Sequence, residues 1–451
     1  MNQTSEPALL GGATSVIQTL KAAGHLALLA GGCVRDSLLG KTAKDYDVAT
    51  SARPEEVIRL FPGALTVGAH FGVVIVRQGG HHFEVATFRT DGSYSDGRRP
   101  DTVTFATAKE DAQRRDFTAN GLFLDPLTGE IIDYVGGRAD LEARVLRAIG
   151  DAHQRFAEDH LRLLRAVRFA TVLGFEVEPQ TWKAVREMAP RIQAVSAERI
   201  RDELTKIFVH RNRLRGFDLL VESGLMEAVL PEILALQGCE QPAQFHPEGD
   251  VFIHTRLMLS LLPDEVSLPL VLSVLFHDIS KPATQTVDET GRIRFNGHDK
   301  LGAVVTEDIL RRLKFSNQVI TPTVEAVACH MIFKDVPKMR TAKLKRFMAR
   351  PTFEDEMQLH RVDCLGSKGD LSNFEYVRRK QQEFAAEPLI PPSLVSGRDL
   401  IQLGWHAGPA LGRVLTAIQN LQLEGGLSTR EDALAWLQSN APVPDQFDAA
   451  D

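Results

Sequence analysis

The 451-residue sequence predicts a mixed α/β domain at its N-terminal side followed by helices to the end. Three observations carry that expectation. Up to about residue 150, short apolar runs alternate with turn formers. From Asp151 onward the strand signals nearly vanish. In their place apolar residues recur at helical spacing, as in DHLRLLRAVRFATVLG and AERIRDELTKIFVH.

Taken in order, LALLAGG, YDVAT, FGVVIVRQ, HFEVATFR and GEIIDYVGG read as strands, with VRDSLLG and PEEVIRLF as helices between them. The helical part is interrupted at 238–250 (GCEQPAQFHPEGD) and 387–399 (EPLIPPSLVSGRD), both rich in turn formers. A chain of this length exceeds one compact domain. Four units are expected: an α/β head over 1–150, a helical neck over 151–225, a helical body over 226–385 and a helical tail over 386–451. The terminal APVPDQFDAAD reads as frayed.

The composition, 43% hydrophobic and 25% charged, is that of a soluble globular protein. No apolar run approaches the ~20 residues that span a bilayer. The N-terminal MNQTSEPALLGG lacks the basic segment and apolar core of a secretion signal. A cytoplasmic location without a membrane partner is the expectation, and no stable protein partner is implied. Cys33, Cys239, Cys329 and Cys364 form no CxxC pair, which excludes a zinc ribbon and a disulfide framework. Cys33, inside a glycine turn, reads as a small buried filler. The net charge of −7 speaks against general nucleic-acid binding, but the average hides local asymmetry. Between Arg155 and Arg215 there are 13 Lys/Arg against 8 Asp/Glu, and HRNRLRG (210–216) is a candidate backbone-phosphate contact.

The first dense motif is GGCVRDSLLGKTAKDYDVAT, residues 31–50. A strand runs into Gly31-Gly32, where the missing Cβ atoms let a phosphate approach the backbone, and a helix begins at Val34 with free N–H groups. Arg35 in its first turn can reach the same phosphates. Asp45 and Asp47, two apart on a strand, project from one face and can hold a pair of Mg²⁺ ions. Glu84 in HHFEVATFRT offers a third carboxylate on a neighbouring strand. In EDHLRLLRAVRF, Asp159, Arg162, Arg165 and Arg168 follow a spacing of three and wind down one side of a helix. A carboxylate accepts from the exocyclic amine of cytosine or adenine, and an arginine donates to the ring edge. Such a pair can select a base without a nucleic-acid template.

GG-x-VRD-x-LLG followed by DxD resembles the DNA polymerase β nucleotidyltransferase superfamily, and within it the class II tRNA nucleotidyltransferase (CCA-adding) and bacterial poly(A) polymerase family. The resemblance continues through FRTDGSYSDGRRPDTVTF (88–105), RRDFTANGLFLDPLTGEIIDYVGG (114–137), EDHLRLLRAVRFA (158–170) and AERIRDEL (197–204). It implies a polymerase β-like mixed sheet in the head and two-metal addition of CCA to the 3′ end of tRNA from CTP and ATP. Gly32, Arg35 and Arg115 would bind the incoming nucleotide, Asp45 and Asp47 the Mg²⁺, with Glu84 as the third catalytic carboxylate. Asp116 and Asn120 suit the ribose hydroxyls, the plainer reading being a cap and a turn. Asp159 and Arg162 would read the base, with Arg165 and Arg168 beside them on the nucleotide. Glu198, Arg199 and Glu203 are expected to brace the neck, and the loop DGSYSDGRRP to take part in switching from C to A.

The body carries FIHTRLML, SVLFHDISKPAT, RFNGHDKLGA, ACHMIF and HRVDCLG. The pair His277-Asp278, on a helix, resembles the HD phosphohydrolase superfamily. That resemblance implies His254, His277, Asp278 and Asp363 as metal ligands, with His298 and His330 as further ligands or phosphate contacts. Imidazole with carboxylate suits Ni²⁺, Mn²⁺, Fe or Zn²⁺, with Mg²⁺ as the alternative, for hydrolysis of a phosphoester. Two alternatives remain within the head's family: an A-adding enzyme and a poly(A) polymerase. The latter resembles a pattern with a basic pair after the glycine of the third strand, which VGAHFGVVIV (67–76) lacks. From another class, the chain would be an HD phosphohydrolase with a degenerate, RNA-binding head, which the intact Asp45, Asp47 and Arg115 oppose.

Overall fold

The computed structural model describes residues 6–66, 72–92, 103–242, 244, 246–247 and 249–440. Residues 93–100 of the loop DGSYSDGRRP, residues 67–71 of VGAHFGVVIV and the terminal APVPDQFDAAD lie outside the described residues. The chain divides into two compact units. One comprises residues 1–234 with the short segments 263–265 and 311–315; the other comprises 235–262, 266–310 and 316–451.

The first unit opens with an unheralded helix, Glu6–Ala22. Its Ala13, Val16, Ile17 and Leu20 are fully buried, the i, i+3, i+4, i+7 stripe of a helix laid on a sheet. The sheet has six strands: β1 Ala27–Ala30, β2 Asp47–Thr50, β3 Val73–Gln78, β4 His81–Thr87, β5 Leu122–Leu124 and β6 Ile131–Asp133, in the order β3-β4-β2-β1-β5-β6. Only β2 and β4 run parallel; the other neighbours are antiparallel. The mixed sheet agrees with the expected head.

All four residues of β1 are buried, because the sheet is covered on both faces and β1 lies inside it. In β4 burial alternates, with Phe83 and Val85 inward and Glu84 exposed. The parallel register Val48↔Val85 sets Asp47 and Glu84 side by side one residue earlier, on the same face. That face also carries Ala49, which packs in one cluster with Ala108 and Ala112 of the helix Ala108–Gln113. The helix runs directly into Arg114-Arg115 and so brings the basic pair toward the carboxylates.

Helices follow, including Ala152–Glu158, Leu161–Leu173, Pro179–Met188, Ala197–Phe208 and Arg213–Glu222. Strands persist here only as the two-residue pair Val145–Leu146 and Glu176–Val177.

Among the described residues the second unit is helical apart from one hairpin, Gln285–Val287 with Ile293–Phe295, which the sequence pattern does not announce. Its helices include Val251–Leu261, Leu268–Phe276, His298–Arg312, Asn317–Cys329 and Phe353–Gly366. Leu270 to Phe276 are all buried, so this helix threads the core and ends at the His277-Asp278 pair. Phe333, Phe347, Phe353 and Met357 form a second cluster. The tail helices Gly397–Gln402, Pro409–Leu423 and Arg430–Asn440 close on their own core of Leu400, Ile418 and Leu437.

Candidate active sites in the two units

In the first unit the site is built around the turn between β1 and the helix Gly32–Leu38. Gly31 has φ +75°, and a Cβ there would lie 2.9 Å from Arg115 Nη1. The left-handed backbone favours glycine here, and a side chain would also push the tip of Arg115 aside. Gly32 carries no such constraint: a Cβ there would make only an ordinary contact, with Arg35 Nη2 at 3.8 Å. Cys33 is buried, and burial followed by the Asp47 charge pushes its thiol up to about 11. It is a filler, not a nucleophile.

Asp45 does not lie on a strand as expected. β1 ends at Ala30, whose partner is Asp47, and the chain turns away at Gly31, so nothing remains for Asp45 to pair with. The side-chain alternation nevertheless survives: Asp45 and Asp47 are exposed and Tyr46 between them is buried. At the Asp47 carboxyl, desolvation, then repulsion from Asp45 and Glu84, outweigh the pull of Arg115 and raise it to about 6. Asp45 and Glu84 thus stand near enough to disfavour the Asp47 charge, although the three carboxylates are not among the described groups whose ligand atoms all lie within 4.8 Å of one another. Hard, oxygen-only donors of this kind suit Mg²⁺.

Arg115 is oriented by Asp111, whose Oδ2 accepts from its Nε at 3.2 Å and Nη2 at 3.0 Å. Asp111 also holds Arg114 at 2.7 Å and is only 2% exposed. A chain of polar contacts then runs from the head into the neck. Arg35 Nη1 donates to Asn120 Oδ1 (2.6 Å), Asn120 Nδ2 donates to Asp116 Oδ1 (3.0 Å), and Arg165 donates to Asp116 Oδ2 through Nε (2.8 Å) and Nη2 (2.5 Å). Burial acts to raise the Asp116 carboxyl, but Arg165 and Asn120 win and hold it well below the ordinary carboxylate range. Asp116 and Asn120 are both buried, so any ribose contact would add to bonds already made. The guanidiniums of Arg35, Arg165 and Arg168 lie 5.3, 5.2 and 3.9 Å from the ring centroid of Phe169. Three guanidiniums thus share one aromatic floor, each also paired with a carboxylate: Arg35 with Asp36, Arg165 with Asp116 and Arg168 with Glu203.

Asp159 departs from its expected place on the helix. It has extended backbone (φ −146°) in the break between Ala152–Glu158 and Leu161–Leu173, and its Oδ1 accepts from Leu161 N at 3.0 Å. A short polar side chain that bonds the first turn from outside ends one helix and starts the next. Arg162, Arg165 and Arg168 do follow one another along the second helix. Asp159 and Arg162 are joined only through the backbone, Arg162 N donating to Asp159 O at 3.0 Å; of their side chains, Arg199 binds both oxygens of Asp159 at 3.1 and 2.7 Å, whereas Arg162 pairs with Glu158. Arg168 pairs with the buried Glu203.

In the second unit, His254, His277, Asp278, His298 and His330 are all buried and lie around one centre. His277-Asp278 is not within a helix. The helix ends at Phe276, His277 caps it, and Pro282 in the following turn would clash with a continuing helix at the carbonyl four residues back. Each of three imidazoles has Nδ1 on the carbonyl three residues earlier: His277 on Val274 (3.0 Å), His298 on Phe295 (2.6 Å) and His330 on Val327 (2.6 Å). That bond assigns the proton to Nδ1 and turns the Nε2 lone pair inward. His277 Nε2 lies 3.1 Å from Asp278 Oδ2, and His298 and His330 Nε2 lie 3.4 and 3.9 Å from Oδ1. His298 and His330 face each other, Nε2 to Nε2, at 3.1 Å. Lone pairs so placed fit a cation between them.

Among the described residues, two groups have all ligand atoms within 4.8 Å of one another: His254, His277 and Asp278; and Asp278, His298 and His330. Asp363 joins the first side through His254 Nε2 at 3.1 Å. Burial, then His277, brings the His330 imidazole down to about 4, and burial also lowers His298. Both are neutral at pH 7, the form that binds metal. Lys281, absent from the expected set, places Nζ 2.6 Å from Asp278 Oδ2.

Comparisons with known proteins bear on the first unit by sequence profile and on the whole chain by relatives and fold. A sequence profile for the poly A polymerase head domain matches residues 27–147, and one described as the probable RNA and SrmB-binding site of polymerase A matches 174–236. The chain is 32% identical over 431 residues to a CCA-adding enzyme of Lactobacillus helveticus, covering 94% of this chain and 95% of that one. It is 42% identical over 250 residues to that of Lactiplantibacillus plantarum, covering 53% of this chain, and 46% identical over 220 residues to that of Geobacillus stearothermophilus, covering 49%. These two matches span 61% and 54% of the relatives' own lengths. The crystal structure of a Bacillus stearothermophilus CCA-adding enzyme in complex with CTP superposes with TM-score 0.71 at 28% identity, over 95% of this chain and 97% of the other. A Thermotoga maritima CCA-adding enzyme complexed with tRNA, at 19% identity and TM-score 0.63 over 98% and 97%, shares the fold. No helix among the described residues is long and apolar enough to cross a membrane.

Proposed function

Because the chain belongs to the family of CCA-adding enzymes, we propose that it adds CCA to the 3′ end of tRNA from CTP and ATP, in the cytoplasm and without a nucleic-acid template. The observation that carries this reading is the unbroken contact chain Arg35–Asn120–Asp116–Arg165, set behind Asp45, Asp47 and Glu84. In this reading residues 1–150 act as the catalytic head, 151–225 as the base-reading neck, 226–385 as an HD-type body and 386–451 as a tail.

Asp45, Asp47 and Glu84 would hold Mg²⁺, which when bound supplies charge stabilisation at the attacking 3′-oxygen and the leaving pyrophosphate. Arg35 and Arg115 hold the triphosphate, Arg115 pre-aimed by Asp111. Asp116 and Asn120, fixed from both sides, present a rigid polar edge to the ribose. Arg165 and Arg168 line the nucleotide's path against Phe169. Asp159 and Arg162 read the base, and since each is held by another partner, base recognition exchanges Arg199 and Glu158 for the nucleotide edge. Replacing Arg162 with alanine is expected to leave triphosphate binding nearly intact. It should reduce the preference for C over U and A over G by about 10- to 100-fold, the worth of a two-point base contact. Unchanged preferences in competition assays with paired nucleotides would remove Arg162 from the reading role.

We further propose that the second unit is a metal-dependent phosphohydrolase acting on RNA 3′-end phosphoesters. Its support is the convergence of His254, His277, Asp278, Asp363, His298 and His330 from five separate segments. A bound Mn²⁺, Ni²⁺, Fe or Zn²⁺ would supply an activated water, and Lys281 places a positive charge beside the site.

The imidazoles give this unit a pH signature. A group whose folded pKa lies below its unfolded one contributes stability that is complete above the unfolded value and is lost as pH falls through the folded one. For His330 that window runs from its ordinary 6.5 down to about 4, and His298 shifts in the same direction. The melting temperature of metal-stripped protein should therefore fall as pH drops from 6.5 toward 4, and His330→Gln should flatten the slope. Identical pH profiles for wild type and variant would show that His330 is not held neutral.

A further inference from the structure

Arg155 is left without a role by the chemistry above, yet it sits at the junction of two parts of the nucleotide site. It projects from the helix Ala152–Glu158 with its side chain 15% exposed. Nε donates to Ile149 O (3.2 Å), Nη2 to Gln113 O (2.8 Å), and Nη1 to both Arg114 O (3.1 Å) and Glu158 Oε2 (2.8 Å). Arg162 ends on the same two acceptors: Nη2 on Arg114 O at 3.3 Å and Nη1 on Glu158 Oε2. Arg162 Nη1 also donates to the backbone carbonyl of Arg155 at 2.7 Å. Two guanidiniums therefore share one backbone carbonyl and one carboxylate oxygen. The shared carbonyl belongs to the residue immediately before Arg115.

We infer that Arg155 is a positioning residue that couples base reading by Arg162 to triphosphate seating by Arg115, so that bases are told apart more sharply on a nucleoside triphosphate than on a monophosphate. This rests on the nucleotide-binding reading given above. A carbonyl oxygen has two lone pairs and here gives one to each guanidinium. The planar fork of Arg155 fixes Gln113, Arg114 and Ile149 with respect to Glu158. When Arg162 turns to a base it loosens its hold on Arg114 O and on Glu158. Arg155, still gripping both, transmits the change to the segment that carries Arg115. Without Arg155 the two arginines would respond to the two ends of the nucleotide independently. A purely structural staple would hold the helix in place and leave selectivity untouched.

The test uses the full chain with Mg²⁺ and measures displacement of labelled CTP by CTP, UTP, CMP and UMP. In wild type the C-over-U preference should be larger for the triphosphates than for the monophosphates, by about 5-fold or more, the lower end of typical coupling between sites. In Arg155→Met the two preferences should converge, with KM for CTP rising more than kcat falls. Arg155→Lys, which keeps the charge and loses the fork, should lie between. Equal preferences in wild type overturn the coupling without need of any variant. So does a folded Arg155→Met that keeps the wild-type difference. If the methionine variant does not fold, the lysine variant and the wild-type comparison decide. Wild-type protein that neither binds CTP nor extends any tRNA would instead overturn the nucleotidyltransferase reading itself.

Discussion

Asp47→Ala should abolish nucleotide addition and at the same time leave the protein no less stable at neutral pH. The loss is expected at about 10³-fold or more in kcat/KM, the equivalent of several kcal/mol of charge stabilisation at the reacting phosphate. The stability follows from the sign of the Asp47 shift. Its carboxyl titrates at about 6 in the fold against an ordinary 3.8, so between those values the folded chain binds a proton that the unfolded chain has released. Raising pH through 6 forces an unfavourable charge onto the folded state. Removing that charge should raise the melting temperature at pH 8, and the difference from wild type should shrink toward pH 4. Activity and stability moving in opposite directions is the mark of a residue kept for function. A variant that adds CTP within tenfold of wild type would remove Asp47 from the catalytic set. Hydrolysis by the second unit should be unaffected.

His277→Ala should produce the reverse pattern. The imidazole is 1% exposed, and its Nε2 faces Asp278 with no hydrogen-bonding partner. It stands next to the one carboxylate common to both ligand groups. Its loss should cut hydrolysis of a 2′,3′-cyclic nucleotide by about 10³-fold, as expected when an activated water is lost. CTP and ATP addition should stay within about twofold, since the head carboxylates belong to the other compact unit. The assay pairs cyclic-phosphate hydrolysis with tRNA extension on the same preparation, with a melting curve as the folding control. Loss of both activities in a folded variant would contradict two separate sites.

How much of this was legible in the sequence depends on the distance over which each residue finds its partner. The strand β4 could be read from alternation alone, and so could the outward aim of Glu84. Asp45 and Asp47 are both exposed about a buried Tyr46 although only Asp47 is in a strand, so the alternation read from the sequence outlasts the pairing. Asp159 was misplaced because EDHLRLLRAVRF has no glycine or proline to mark the break. The available signal was an aspartate just before an apolar helical run, which favours a helix start. Pro282 likewise marked the end of the helix before His277-Asp278. Asp111 is four residues before Arg115 at a helix end, a spacing that could have exposed it. Arg199, 40 residues from Asp159, and Asp363, 109 from His254, meet their partners only through the packing of helices. Spacing carries no trace of such pairs.

The most direct test of the account is extension of three tRNA transcripts, ending at the discriminator base, at C and at CC, by the purified chain with Mg²⁺ and labelled CTP and ATP. Products are resolved at single-nucleotide length. The account predicts growth by C, C and A on the first, by C and A on the second and by A on the third, stopping there in every case. Extension of the CC-ended transcript alone, or long runs of A, would contradict it in favour of an A-adding enzyme or a poly(A) polymerase. No extension of any transcript would leave the histidine–aspartate centre as the chain's principal site.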